Sequence, residues 1–225
     1  MERVVIYSGK ATKNMKITSV NIGKIKTVRV GGQQIRTAIG KRPVQGAVAV
    51  NSLGLEGDNV CNPRHHGGVD QAVYAYRVED YAFWSAKLGR PIPSGTFGEN
   101  LTISGMPEYG LMIGDRLEFD GLLLEATAPR IPCNVLAAQM EDKQFPKLFT
   151  AAGRAGVYFR VLEVGKIEAG MQGQYQLKAE NSLSTQALFL DQVGPQNNLS
   201  KEKLLAYLSL PIDKRTRTKF QTRLK

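Results

Sequence analysis

The stretch ITSVNIGKIKTVRVGGQQIRTAIGKRPV (residues 17–44) decides how this chain folds. It is dense in Val, Ile and Thr and is cut every few residues by glycine, at Gly23, Gly31, Gly32 and Gly40. β-Branched side chains fit a pleated, half-buried surface, and segments this short between turn residues are strands rather than helices. The same texture continues through GAVAVNSLG (residues 46–54). It returns at ENLTIS (99–104), MIGDRLEFDG (112–121), LLLEATA (122–128) and GVYFRVLEVGKIEAG (156–170).

Between these runs the period changes. In VYAYRVEDYAFWSAKLGRP, Tyr81, Trp84 and Leu88 recur at i, i+3 and i+7, which predicts a helix from about residue 78 to 88. Gly89-Arg90-Pro91 should end it. A second helical stretch is expected after Pro132. From about Ser182 the composition shifts to three short helical segments, STQALFLDQ, LSKEKLLAYLS and DKRTRTKFQTRL, broken at Pro195 and Pro211. Leu204, Leu205 and Leu208 form an expected apolar edge. The predicted organisation is a mainly β body over residues 1–181, followed by a small three-helix module over 182–225.

Composition narrows the function classes. A chain of 225 residues can bury a sizeable core. No apolar run approaches the ~20 residues that span a bilayer, and MERVVIYSGK lacks the pattern of a secretory signal. A soluble, cytoplasmic protein is the expectation. The two cysteines, Cys61 and Cys133, lack metal-type pair spacing and are too few to hold an iron–sulfur cluster unaided. The net charge is +10, and residues 201–225 carry eight Lys or Arg against Glu202 and Asp213. Such a segment fits either a solvated helical face or a polyanion partner. Only Tyr207 and Phe220 could stack on bases there, which argues against nucleic acid.

Four loops combine glycine or proline with polar groups: TAIGKRPV, GLEGD running on to PRHHGGVDQAVYAY, FGENL, and PRIPC. Glycine lets backbone N–H groups approach an anion, and a nearby Lys or Arg completes such a site. None of the loops is a Walker A or a G-x-G-x-x-G motif, and HHGG lacks the partners zinc needs. Within PRIPCNVL, Pro132 suits the first turn of a helix, which would put Cys133 at the positive end of its dipole and near Arg130. Those terms favour the thiolate, the nucleophilic and metal-binding form. The other reading is a buried, inert thiol, and both stay open. Cys61 is read as structural.

In order and spacing, GLEGD, HHGGVDQAVYAY, FGENL and PRIPC resemble the signature of MOSC domains, the module named from the C-terminal part of molybdenum cofactor sulfurases. SVNIGK, TAIGKRPV and the three terminal helices resemble the YiiM-like subgroup. The resemblance covers the chain from about Ser19 to its end. It implies a β-barrel-like domain with helices packed around it, and molybdenum bound through Cys133 as metal ligand and catalytic residue. It implies a pterin cofactor, molybdopterin, whose phosphate would be held by Lys41, Arg42, Arg64, His66 and Arg130, with Gly67 and Gly68 in the same cradle. Asn100 would meet the pterin edge, and Glu99, Asp58 and Asp70 would hold loops. The implied activity is reduction of N-hydroxylated compounds, such as hydroxylamines and 6-N-hydroxylaminopurine, to amines. A separate flavin or iron–sulfur protein would supply electrons, because the chain carries no flavin or NAD motif. The same thiol would also serve a carrier of cofactor or sulfur with a persulfide on Cys133.

Overall fold

The computed structural model describes residues 14–107, 110–177, 182–195 and 198–225. The expectation for the first residues of the chain, and the module boundary at 181, lie outside them. Strand β1 (Asn14–Ile22) leads into a hairpin of β2 (Lys26–Val30) and β3 (Gln33–Thr37). Three short strands follow, β4 (Arg42–Pro43), β5 (Val48–Asn51) and β6 (Gly54–Leu55). Strand β7 (Val73–Arg77) runs directly into helix α1 (Val78–Leu88), which returns to β8 (Leu101–Ser104). Next come β9 (Arg116–Phe119) and β10 (Leu122–Pro129), then helices α2 (Asn134–Met140) and α3 (Phe145–Ala152). Strands β11 (Val157–Glu163), β12 (Gly165–Ile167) and β13 (Gln172–Gln176) complete the β body. Helices α4 (Thr185–Val193), α5 (Lys201–Leu208) and α6 (Lys214–Arg223) end the chain.

Seven strands close into a mixed barrel, in the order β1, β8, β7, β11, β10, β9, β13 and back to β1. Every neighbouring pair is antiparallel except β7 and β8, which the α1 crossover makes parallel. Closure removes the exposed strand edges that an open sheet would present. This fold is the expected mainly β, barrel-like one with helices around it. Helix α1 spans the residues its spacing predicts and ends at Gly89, whose φ of 65° is the left-handed cap glycine tolerates.

Alternation along the strands sorts the core into layers. Val73, Ala75, Ile17, Ile103, Leu124 and Phe159 fill the barrel. Tyr74 and Tyr76 point outward into a second layer beneath α1, α2 and α3, with Trp84, Phe97, Phe145 and Phe149. The Trp84 and Phe149 rings stack at 5.8 Å, and the indole N–H of Trp84 donates to the Tyr76 hydroxyl at 2.8 Å. Phe149→Ala is expected to cost ~3–5 kcal/mol by opening this fully buried layer. Urea denaturation measures it, and a cost under ~1.5 kcal/mol would mean the helices close over the gap.

The terminal helices bury Leu188, Leu204, Tyr207, Ile212 and Phe220 around Ile113 of the body. Ser184, Ser200 and Asp213 cap their N-termini through side-chain oxygens. Leu205 departs from the expected edge: it is 50% exposed, because the stripe that meets the neighbouring helices runs through Leu204 and Tyr207. No helix among the described residues is long and apolar enough to cross a membrane.

Candidate functional site

A cavity lined by residues of the motif loops lies against the outer face of the barrel. Its floor is set by strand pairing, since Tyr74 on β7 and Tyr158 on β11 are register partners and their rings sit 4.8 Å apart. Strand β10 ends at Pro129, so the next residue, Arg130, is delivered onto that floor with its guanidinium 5.2 Å from the Tyr74 ring. Arg130 is only 5% exposed. Its Nη1 reaches the Tyr158 hydroxyl at 3.5 Å, and its Nε has no hydrogen-bond partner among the described residues. No ion pair to Arg130 occurs among the described residues. The buried Glu99 carboxylate acts on Arg130 only at longer range, and burying a cation without a close ion-pair partner is costly.

Lys41, His66, Gly67, Asn100, Arg130 and Cys133, expected to share one site, line this one cavity. The structure assigns them different conditions. The Lys41 ammonium already pairs with Asp58, and burial lowers its pKa despite that partner. Asp58 also accepts from Gly23 N–H at 2.7 Å and from Asn100 Nδ2 at 2.9 Å, which makes it the loop anchor the sequence implied. The Asn100 amide is engaged at both ends, because its Oδ1 accepts from Tyr74 N–H at 3.2 Å. It therefore fixes the wall, and its amide is not left free for a pterin edge. Glu99 is likewise a loop anchor, accepting from Gly95 N–H at 2.6 Å and Thr102 Oγ1 at 2.9 Å. Gly95, at φ 85°, tolerates no side chain, because a Cβ there would lie 2.2 Å from the Lys41 carbonyl oxygen.

Three expected residues do not reach the cavity. Arg42 begins β4 opposite Ile22 and is exposed, because strand alternation sends it away from the side that takes Lys41. Arg64 is exposed as well and contributes its carbonyl instead. Gly68 is exposed outside the lining and permits the turn at φ 84°. Gly67 does line the cavity, with Val60 so close that a Cβ would meet it at 3.0 Å.

Cys133 is half-buried and stands at the N-cap of α2, with extended backbone at φ −137° and ψ 171°. Pro132 therefore precedes the helix rather than opening it, and the thiol makes no side-chain cap bond. A charge on Cys133 would act on Arg130 across the cavity. Cys61, read as structural, is half-buried and lines the same cavity. Spacing hides this, because it arrives from a different loop. Tyr74 and Tyr158 were missed too, although alternation in VYAY places its tyrosines on one face.

His66 is not a cation here. Burial first, then the charge of Arg130, pushes its imidazole down to about 3 from the ordinary 6.5. Below pH 6.5 the unfolded chain binds a proton that the folded chain refuses. Stability therefore falls as pH drops from 6.5 toward 3, by at most ~1.4 kcal/mol per unit. Between pH 6.5 and 5 wild type should lose up to ~2 kcal/mol more than His66→Gln by urea denaturation. Parallel pH curves would mean the folded imidazole is protonated.

The model of the MOSC domain family matches residues 62–172, the segment that supplies His66, Arg130 and Cys133. The uncharacterised protein YflK of Bacillus subtilis is 37% identical over 170 residues, covering 76% of this chain and 77% of YflK. A protein of Gibberella moniliformis named "Reductase" is 35% identical over 159 residues, which is 68% of this chain but 28% of that protein. The crystal structure of YiiM from Geobacillus stearothermophilus superposes with a TM-score of 0.77 at 30% identity, over 94% of this chain and all of that one. Motif loops, closed barrel and terminal helices thus coincide in one lineage, and the chain belongs to the MOSC domain family, in its YiiM-like branch.

Proposed function

We propose that this chain is a molybdenum-cofactor-dependent reductase of N-hydroxylated compounds and the terminal component of an electron-transfer chain. One observation carries the reading: the buried guanidinium of Arg130, which forms no ion pair among the described residues, lines the same cavity as the Cys133 thiol. A soft thiolate is a suitable molybdenum donor, and a guanidinium without an ion-pair partner fits a phosphate. Among the described residues no cluster of three or more His, Cys, Asp or Glu could hold a metal alone. A metal at Cys133 would therefore take its remaining ligands from a cofactor, and the residues present fit that arrangement.

In this reading Cys133 Sγ ligates the metal and Arg130 holds the phosphate against Tyr74 and Tyr158. Lys41, its charge met by Asp58, holds the loop that carries Asp58 against the cavity. His66, neutral, offers one N–H and one lone pair. When bound, the cofactor supplies two electrons that, with two protons, turn an N–OH group into the amine and water. The residues position, orient and neutralise charge. Electrons would come from a separate flavin or iron–sulfur protein. The longer relative named a reductase supports this division, since most of its length lies outside the matched part. Substrates such as 6-N-hydroxylaminopurine would meet a floor of two tyrosine rings, Tyr74 and Tyr158, tilted 34° to each other with the Arg130 guanidinium over Tyr74.

The test is metal and pterin analysis of protein purified from cells that make the cofactor, with reduction of 6-N-hydroxylaminopurine by reduced viologen. Near-stoichiometric molybdenum and formation of adenine are expected. Protein free of molybdenum and pterin, with no turnover, would overturn the reading.

A further inference from the structure

The basic terminal segment has a specific use at its first turn. Asp213 caps α6 by accepting from Arg215 N–H at 3.1 Å and Thr216 N–H at 3.3 Å, which aims the Arg215 side chain back at the barrel. There it meets residues 63–71. Its Nε donates to the Arg64 carbonyl at 2.9 Å. Its Nη1 donates to the Gly67 carbonyl at 3.0 Å and to Gln71 Oε1 at 3.0 Å. Its Nη2 donates to the carbonyls of Pro63 at 2.7 Å and His66 at 3.2 Å. These bonds use all five N–H groups of a guanidinium.

Four of the five acceptors are carbonyls of one loop, turned toward a single positive centre. Carbonyl dipoles gathered this way repel one another unless a cation sits among them. That loop is a wall of the cavity, which His65, His66, Gly67 and Gln71 line. Two further bonds join the same elements, Lys214 N–H to Asp70 Oδ2 at 2.9 Å and Gln71 Nε2 to Asp213 Oδ1 at 3.3 Å.

The geometry points to Arg215 as a positioning residue for the cavity wall, which makes the terminal helical unit part of the binding site. Arg215 shapes the cavity in this way whatever chemistry takes place there. Arg217 supplies the internal comparison. It donates from Nη1 to the Leu208 carbonyl at 2.7 Å and from Nη2 to the Leu210 carbonyl at 2.6 Å, inside the terminal unit. Losing it weakens that unit without touching the loop.

The experiment uses the full chain and the half-buried Cys61, which precedes the loop and lines the cavity. Its alkylation by iodoacetamide under native conditions, followed by mass spectrometry, reports local opening. Arg215→Gln is expected to speed that reaction about tenfold or more, whereas Arg217→Gln leaves it within about twofold at a similar loss of melting temperature. Arg215→Lys keeps the charge without the fork and should fall between, still above about threefold. If Arg215→Gln fails to fold, Arg215→Lys decides. Alkylation within about twofold of wild type in the folded Arg215 variants, or equal acceleration by Arg217→Gln, would overturn the assignment.

Discussion

Replacing Cys133 with serine is expected to remove molybdenum and to lower reduction of N-hydroxylated bases at least about a hundredfold, while the metal-free protein stays as stable as wild type. The two halves of this result have separate causes. A hydroxyl deprotonates far less readily than a thiol and is a harder donor, so a ligand of the wrong softness replaces the right one. Stability should hold because the Cys133 side chain makes no cap bond that could be lost. Serine is in fact a favoured N-cap residue, and its oxygen could accept an N–H of the first turn of α2, worth about 0.5–1 kcal/mol in the variant's favour. Metal analysis, activity with reduced viologen and urea denaturation measure the three quantities. Sulfane sulfur on wild-type protein, absent from the variant and unaccompanied by molybdenum, would instead support the sulfur carrier. Retained metal and activity in the variant would end the ligand assignment.

Much of this architecture was legible because local rules agreed with the fold. The i, i+3, i+7 spacing of Tyr81, Trp84 and Leu88 gave α1, and Pro195 and Pro211 marked the breaks between the three terminal helices. The motif loops led to the residues that converge on the cavity. What stayed hidden depends on long-range geometry. That β13 returns to β1 is a pairing across more than 150 residues, for which no local pattern exists. Lys41 and Arg42 are adjacent basic residues with opposite fates, decided by the alternation that β4 takes from its pairing with β1. His66 looks cationic in sequence and is neutral in place, because burial outweighs its solution pKa. Arg215 looks like one more charge in a basic tail, and its role depends on carbonyls of a loop 148 residues earlier.

The two buried cations of the cavity should respond to removal with opposite signs. Arg130 forms no ion pair among the described residues and feels Glu99 only at longer range, so Arg130→Met removes a buried charge without stripping a carboxylate of its bonded partner. Methionine keeps an apolar, polarisable contact with the Tyr74 ring in place of the cation–π contact, itself worth about 0.5–2 kcal/mol. The metal-free variant should therefore be within about 1 kcal/mol of wild type, or more stable. Cofactor retention should fall at least about a hundredfold, since two charge-assisted hydrogen bonds to a phosphate contribute about 1.5–3 kcal/mol each. Lys41→Met does the reverse. It leaves the largely buried Asp58 carboxylate with Gly23 N–H and Asn100 Nδ2 as its remaining partners among the described residues, and breaking one side of such a pair costs about 3–5 kcal/mol. Urea denaturation of metal-free protein and the cofactor remaining after gel filtration separate the two. A residue retained for binding at the expense of stability is the mark of a working site. An Arg130→Met variant destabilised as much as Lys41→Met would make Arg130 a structural cation and would move the anion elsewhere.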